Sequence, residues 1–558
     1  MNIIANVKDE LYGIITQAIT QGMEKGKIPQ CEIPNYVLEL PRDKNHGDYA
    51  TNVVMLMTKL AKMNPRVLAE AIVEEMDFNN TSVASVEIAG PGFLNFRLKE
   101  GWLYPLLEAI QTENEDYGRS DFGQGEKVQV EFVSANPTGL LHMGNARGGS
   151  LGDLLARVLN MAGYQADKEY YINDAGNQVR NLALSVEARY FEALGVTGYE
   201  VPEDGYQGED IKSTAKRLLE LKGESLASLP REERLAQMLD FALAEKVGGI
   251  KKSLEEFGVV FDNWFSEQSL HDSGEVTAVV ETLKEKGYVY ENEGALWLAC
   301  TKFGEEKDEV LIRSNGTPTY FAADIAYHKN KFERGYTRLI DIWGADHHGH
   351  VARLKKAMTA LGYDGEKITI ILMQLVRLYR DGELVKMSKR RGTFVTLEEL
   401  MEEVGQEVAR FFFSMRNPDS AMDFDLNLAK KESSENPVYY VQYAHARIVS
   451  ILQATGLPTP RASEVDLTLL KAPEELALME MMAKWTEEVT LAARDLAPYR
   501  LPYYAKELAN TFHSFYNACK VLTDDEALKN ARLVLVDTTR ITLRNVLKLI
   551  GVDAPDRM

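Results

Sequence analysis

Three observations predict a multidomain α/β protein: a central domain built on a parallel sheet, an N-terminal α+β domain and a C-terminal all-α helix-bundle domain. At 558 residues the chain is too long for one hydrophobic core. Over about residues 116–430, short apolar runs alternate with helical periods, as βα units feeding a parallel sheet do. From Asn436 onward, apolar residues keep helical spacing almost throughout.

The N-terminal unit spans residues 1–115. Asn64-Pro65 is an N-cap with proline at the first helical position, predicting a helix through Met76. Val86–Ala89, the turn Gly90-Pro91-Gly92 and Phe93–Leu98 read as paired strands. A polar run from Gln111 to Gln124 marks the boundary with the second domain, 116–430. In that domain Val128–Val133 predicts the first strand, and Leu339–Gly344 and Ile368–Leu372 predict inner strands. The charged helices of about 190–300, with a Gly/Asp/Glu-rich segment at Val201–Asp210, read as an insertion into the sheet domain. In the third domain, 436–558, Val441, Ala444, Ile448 and Ile451 share a helix face, and a long final helix ends at Ile550 with Gly551 as its C-cap.

Composition narrows the class of protein. Hydrophobic content of 45% with 26% charged residues fits an ordinary globular chain. No apolar stretch reaches the roughly eighteen residues a membrane span needs, and Met1–Glu10 lacks the basic-then-apolar pattern of a secretory leader. Cys31, Cys300 and Cys519 lie far apart, without zinc or redox spacing, which suits a reducing cytoplasm. A net charge of −21 excludes a surface that is basic throughout, as DNA-packaging proteins have, but leaves local nucleic-acid patches open. The expectation is a cytoplasmic protein without membrane or DNA partners.

Two stretches carry chemistry. Ser134–Asp153 (SANPTGLLHMGNARGGSLGD) follows a strand, bends at Asn136-Pro137-Thr138-Gly139 and opens a helix. His142 and Asn145 then share the first helical turn. Free backbone N–H groups and the helix dipole favour an anion there, so the stretch is suited to a phosphate. The second is Leu384–Val395 (LVKMSKRRGTFV), in which four of the six residues Lys386–Arg391 are cationic and Gly392 follows. It reads either as a solvated basic loop or as a loop that closes over a polyphosphate.

H-x-G-N after the first strand of a nucleotide-binding sheet, with K-M-S-K far downstream, resembles the class I aminoacyl-tRNA synthetases. Further strings narrow the likeness: Glu131–Gly139 (EFVSANPTG), Tyr170–Gln178 (YYINDAGNQ), Trp343–His348 (WGADHH), Leu40–Asn52 (LPRDKNHGDYATN) and the tail Gly551–Met558. Together they are similar to bacterial-type arginyl-tRNA synthetases, over all three regions and least in the insertion. The resemblance implies a class I Rossmann-like catalytic domain, an N-terminal domain that contacts the outer corner of tRNA, and an anticodon-binding bundle. It implies ATP as substrate with Mg²⁺, no tightly bound cofactor, L-arginine and tRNA-Arg as the other substrates, and a monomer.

The resemblance also assigns residues. His142, Asn145, Lys386 and Lys389 are the catalytic set. Ala135, Pro137, Thr138, Gly139, Gly144, Gly344, Asp346, His347, Met387 and Ser388 join His142, Asn145 and Lys389 around ATP, with Gly144 letting the nucleotide approach the backbone. Glu131, Ser134, Asn136, Tyr320, Asp324 and His348 surround arginine. Read alone, Tyr320 and Asp324 are an i, i+4 pair that is either a surface feature or a phenol and carboxylate suited to a guanidinium. Asp346-His347-His348-Gly-His350 reads as a turn at the sheet's carboxyl edge or as a metal cluster; the expectation is no metal. Tyr439, Tyr440, Tyr443 and Arg447 read as core packing or as a stacking surface for unpaired bases, and the likeness favours tRNA for at least one of them. One departure stands out: most of the family has histidine where this chain has Asn145. The amide is expected to aim its N–H at the α-phosphate, the alternative being that it caps the helix.

Overall fold

The computed structural model describes residues 2–41, 43–385 and 395–558. At the N-terminus the helix Ile3–Glu24 and the helices Val53–Ala61 and Pro65–Val73 cover a four-stranded antiparallel sheet with a core of its own. Asn64 caps as its sequence predicts, its side chain accepting from the Arg66 N–H at 3.0 Å. That helix ends at Val73, three residues before the expected Met76. The expected strand pair is present, Val83–Ala89 antiparallel to Phe93–Leu98 across a turn with Gly90 and Gly92 at φ +52° and +143°.

The central domain is a five-stranded, all-parallel sheet: β1 (Lys127–Glu131), β2 (Gln165–Ile172), β3 (Asn263–Ser266), β4 (Arg338–Gly344) and β5 (Ile368–Met373), in the order β5-β4-β1-β2-β3. From β1 the chain winds outward through β2 and β3, then returns to the other side for β4 and β5. The topological switch therefore lies between β1 and β4, and ligands bind beyond the carboxyl ends of such neighbours. The expectation that Ile368–Leu372 is an inner strand is corrected: β5 is an edge strand of this sheet, and after Ile368 its residues are only half-buried. Both faces of the run are packed, Ile368 and Ile370 on one apolar cluster and Ile371 and Met373 on another, so an apolar run reports two-sided packing without fixing the strand's place in the sheet.

Helix α1 (Met143–Met161) makes the crossover from β1 to β2, and nearly all its residues are buried. Small residues let it lie close on the sheet: a Cβ at Gly152 would fall 2.1 Å from the Phe132 ring. Helices Asn177–Ala193, Glu209–Lys222 and Arg231–Glu256 intervene between β2 and β3 around a separate apolar cluster. Helix α2 (Tyr320–Glu333) precedes β4, and α3 (His348–Leu361) links β4 to β5.

The bundle comprises α4 (Pro437–Gln453), the helices Pro473–Ala483 and Trp485–Arg494, α5 (Arg500–Ala518) and α6 (Glu526–Ile550). Val441, Ala444, Ile448 and Ile451 are buried, and Gly551 caps α6 at φ +83°. One apolar core runs continuously from β1 and α1 into this bundle. A charged joint reinforces it. Arg410, fully buried, pairs with buried Asp153 of α1 and donates to the carbonyls of Ile550, at the end of α6, and of Phe257 and Gly258. Arg157 and Lys168 also reach Asp153, at 2.8 and 3.0 Å. Burial alone would raise the Asp153 carboxyl, but the three cations outweigh it and hold it below its usual range.

Asp153→Asn leaves Arg410 buried without a counter-charge. Breaking such a pair costs about 3–5 kcal/mol, so urea unfolding should show a loss of that order. A loss below about 1 kcal/mol, the scale of an exposed ion pair, would contradict a structural role for the joint.

Candidate active site at the β1/β4 switch

The loop leaving β1 is strained. Val133 and Ser134 have φ of +67° and +37°, and the Ser134 N–H donates to the Phe132 carbonyl at 2.9 Å. A β-branched residue in the left-handed region is costly and persists where surrounding structure over-determines it, commonly at functional sites. Here the Ser134 hydroxyl donates to Glu131 at 2.9 Å and accepts from the Tyr171 N–H at 3.2 Å. Buried Tyr170 donates to the Ala135 carbonyl at 2.7 Å, and the Thr138 N–H closes on the Asn136 carbonyl at 2.8 Å. Pro137 and Gly139 complete this turn.

His142 is the N-cap of α1. Its Nδ1 accepts from the Gly144 N–H at 3.1 Å, and Asn145 Oδ1 accepts from the His142 N–H at 3.0 Å. Asn145 therefore does cap the helix, through its oxygen, while its amide nitrogen makes no hydrogen bond among the described residues. Gly144 has a reason beyond nucleotide approach: a Cβ there would fall 3.0 Å from His142 Cε1.

Lys386, Met387, Ser388 and Lys389 lie outside the described residues. The segment's two flanks are described. Val385 donates to the Leu378 carbonyl, and beyond the segment Thr396 forms a β-bridge with His142 while the Leu397 N–H donates to the Leu141 carbonyl, each hydrogen bond 2.9 Å. The second motif thus re-enters the fold beside the first.

Helix α2 supplies the other wall. Asp341 of β4, Glu131 of β1 and Glu169 of β2 stand in register on three adjacent strands, and all are buried. Parallel neighbours in register point to one sheet face, so three carboxylates line up there. The last turns of α2 answer them. Lys331 Nζ lies 2.6 Å from Glu131 and 2.8 Å from Asp341; His328 Nε2 lies 2.8 Å from Asp341; the Tyr327 hydroxyl donates to Glu169 at 2.6 Å; and Arg334, just past α2, pairs with Glu169 at 2.5 Å. Burial pushes the Glu131 carboxyl up against the pull of Lys331. Burial would raise Asp341 as well, but Lys331 and His328 outweigh it and hold that carboxyl well below its usual range.

The start of α2 faces the site. Tyr320 is 48% exposed, and Asp324 Oδ2 lies 2.8 Å from His350 Nε2. His347 and His348 are exposed, as is Asp346, so it is His350 rather than His348 that reaches Asp324. Gly344 has no room for a side chain, a Cβ falling 2.5 Å from Asp346 Oδ1. Among the described residues no group of three or more His, Cys, Asp or Glu could hold a metal ion, the Asp346–His350 stretch included. The site also contains residues the sequence reading did not name. Glu267 is buried at the end of β3; burial raises its carboxyl, Tyr171 and His271 pull it down, and nearby Asp324 raises it further. Tyr206, from the helical insertion, sets its hydroxyl against Thr138. Glu267 was findable only as the residue closing β3, and Tyr206 only from the tertiary fold.

A second surface lies on the bundle. Tyr439 and Tyr443 of α4 are stacked, ring centroids 6.2 Å apart at 7°. Arg447 lies 4.9 Å over Tyr443 and 4.9 Å over Tyr516 of α5, and donates to the Tyr443 hydroxyl at 3.0 Å. Tyr440 packs on the core against His513. The sequence treats these tyrosines alike; the fold separates core from surface.

The family profile described as "Arginyl tRNA synthetase N terminal domain" matches residues 9–98, "tRNA synthetases class I (R), catalytic domain" matches 107–449, and "DALR anticodon binding domain" matches 441–558. The chain is 54% identical to the arginine–tRNA ligase of Moorella thermoacetica and 55% identical to that of Heliobacterium modesticaldum, in each case over 100% of both chains. Among solved structures, Thermus thermophilus arginyl-tRNA synthetase superposes with a TM-score of 0.72 at 25% identity, covering 97% of this chain and 99% of that one.

His513 generates a pH prediction. Burial first, then Arg447, lowers its pKa from 6.5 to about 4. An unfolded histidine takes up a proton near pH 6.5, whereas the folded one resists until about pH 4. Its contribution to stability is therefore complete above pH 6.5 and is lost as pH falls toward 4. On going from pH 7 to pH 4.5, the Tm of wild type should fall further than that of His513→Gln. Parallel Tm profiles would contradict it.

Proposed function

The chain belongs to the arginyl-tRNA synthetase family, and from that membership we infer how its residues divide the work of charging tRNA with arginine. It activates L-arginine with ATP and transfers the arginyl group to the 3′-terminal adenosine of tRNA-Arg. In the first step an arginine carboxylate oxygen bonds to the α-phosphorus as the bond to the β-phosphate bridging oxygen breaks, leaving arginyl-adenylate and pyrophosphate. In the second, a ribose hydroxyl of the terminal adenosine attacks the arginyl carbonyl and AMP departs.

The observation that carries the assignment of roles is the convergence at the β1/β4 switch: the capped start of α1, the return of the second motif at Thr396, and Asp324 in the second turn of α2. Little covalent chemistry falls to the protein, so positioning and charge stabilisation dominate. His142, Gly144 and the Asn145 amide meet the phosphates at the helix start, with Ala135, Pro137, Thr138 and Gly139 shaping the approach to it. Lys386 and Lys389 stabilise the departing pyrophosphate, with Met387 and Ser388 completing their loop. Gly344, Asp346 and His347 border the nucleotide. Mg²⁺ enters with the ATP phosphates, whose oxygens supply ligands that the described side chains do not cluster to provide. Asp324 and Glu267 receive the guanidinium, with Tyr320 and His350 flanking it; Glu131, Ser134, Asn136 and His348 border the rest of arginine. Tyr439, Tyr443 and Arg447, joined by Tyr516, offer stacking faces to unpaired bases, and Tyr440 supports them from the core. The protein works in the cytoplasm as a monomer.

Incubation of total tRNA with each of twenty labelled amino acids tests the function: arginine alone should be charged, with citrulline and lysine poor substrates. Equal use of lysine would sink the pocket assignment. Asp324→Asn removes half of a guanidinium–carboxylate pair, worth about 3–5 kcal/mol where buried, and should raise the arginine KM far more than the ATP KM. Asn145→Asp separates the two uses of that side chain, because a carboxylate oxygen can still cap His142 but no amide remains. Tm should stay within a degree or so while adenylate formation falls roughly 10²–10³-fold. Unchanged kcat would leave Asn145 with the cap alone.

A further inference from the structure

Arg147 lies five residues into α1 from His142 and is fully buried. Its guanidinium donates to three carbonyls: Gln374 at 2.7 Å, and Asn417 and Ser420 at 2.9 Å each. Its Nε is buried with no hydrogen-bond partner among the described residues. Of the five buried cations among the described residues, Arg234, Lys246, Lys331 and Arg410 each pair with a carboxylate; Arg147 alone does not. Burial lowers its pKa to about 10, which leaves it charged at neutral pH, and no titratable side chain contributes to that shift.

A buried guanidinium with no carboxylate is expensive, and a bolt between loops does not require a charge. The Arg147 backbone lies about 7.5 Å along the helix axis from the helix start, and its side chain is buried in protein rather than water. The α1 dipole points the same way, its positive end toward the same place. We propose that Arg147 is an electrostatic positioning residue for the phosphate site: its uncompensated charge is balanced by the polyphosphate of ATP and by the departing pyrophosphate, which it does not touch. The same guanidinium holds the Gln374 carbonyl, from which Val376–Arg380 leads toward the second motif. The proposal rests on the reading that places the ATP phosphates at the start of α1.

A unit charge at about 10 Å through a medium of effective dielectric 20 corresponds to roughly a tenfold change in binding of one opposite charge. Arg147→Gln should therefore raise the ATP KM and weaken pyrophosphate inhibition about tenfold, with the arginine KM within about twofold. Arg147→Lys keeps the charge without the fork and should recover most of that loss. If Arg147→Gln does not fold, Arg147→Lys decides alone. A buried lysine without a carboxylate loses its proton far more readily than arginine, so its pyrophosphate inhibition should weaken from about pH 7 to 9.5 relative to wild type. Equal losses in both variants, losses spread evenly over ATP, pyrophosphate and arginine, or a pH response in Arg147→Lys matching wild type would each overturn the proposal. Absence of pyrophosphate inhibition in wild type would instead overturn the underlying placement of the phosphates.

Discussion

Three carboxylates in register across β4, β1 and β2 cannot remain buried without cations, and this requirement organises the centre of the molecule. One helix meets it. Lys331 bridges Glu131 and Asp341, His328 reaches Asp341 from the turn before, and Tyr327 with Arg334 holds Glu169. These contacts fix both the rotation and the axial position of α2. Asp324 and Tyr320 lie about two and three turns upstream of Lys331 on the same helix, so their placement follows from where the carboxylates stand. His328 ties the two ends together, its Nδ1 lying 2.7 Å from the Asp324 carbonyl. A guanidinium pocket needs carboxylates held apart from competing cations, and here the competing cations are committed deeper in the sheet.

Helix α1, proposed to meet the phosphates, is anchored in a related way. Its first turn is spent on reciprocal capping between His142 and Asn145, its second on Arg147, and its middle on Asp153 and the Arg410 joint with the last helix of the bundle. The bundle's tyrosine face and the capped start of α1 are thus connected by continuous packed structure rather than by a flexible linker. Such continuity is what a coupling between the two surfaces would require.

What the sequence made legible was local. The cap at Asn64, the C-cap at Gly551 and the His142/Asn145 turn depend on residues within a few positions of one another, so composition and spacing reveal them. The edge position of β5 is a different case: an apolar run reports that both faces are packed, not whether a further strand pairs beside it. The carboxylate ladder was invisible because it depends on register between strands about 40 to 210 residues apart in sequence, a property of the sheet and not of any window. Glu131, expected beside arginine, also holds Ser134 and Lys331, partners that its place in the sequence does not show. The pairing of His350 with Asp324, and the places of Glu267 and Tyr516, are invisible for the same reason, each acquiring its meaning from a residue on another element.

In the proposed site, neutralising the ladder is what positions the specificity pocket. The most direct measurement is the pair of KM values for Lys331→Met, in protein shown by circular dichroism to be folded. Removing the bridging cation should let α2 shift, and a misplacement of about 1 Å can cost on the order of 10²-fold. The arginine KM should then rise at least about tenfold while the ATP KM, set at α1, stays within about twofold. A folded variant with an unchanged arginine KM, or with both KM values raised alike, would contradict the claim.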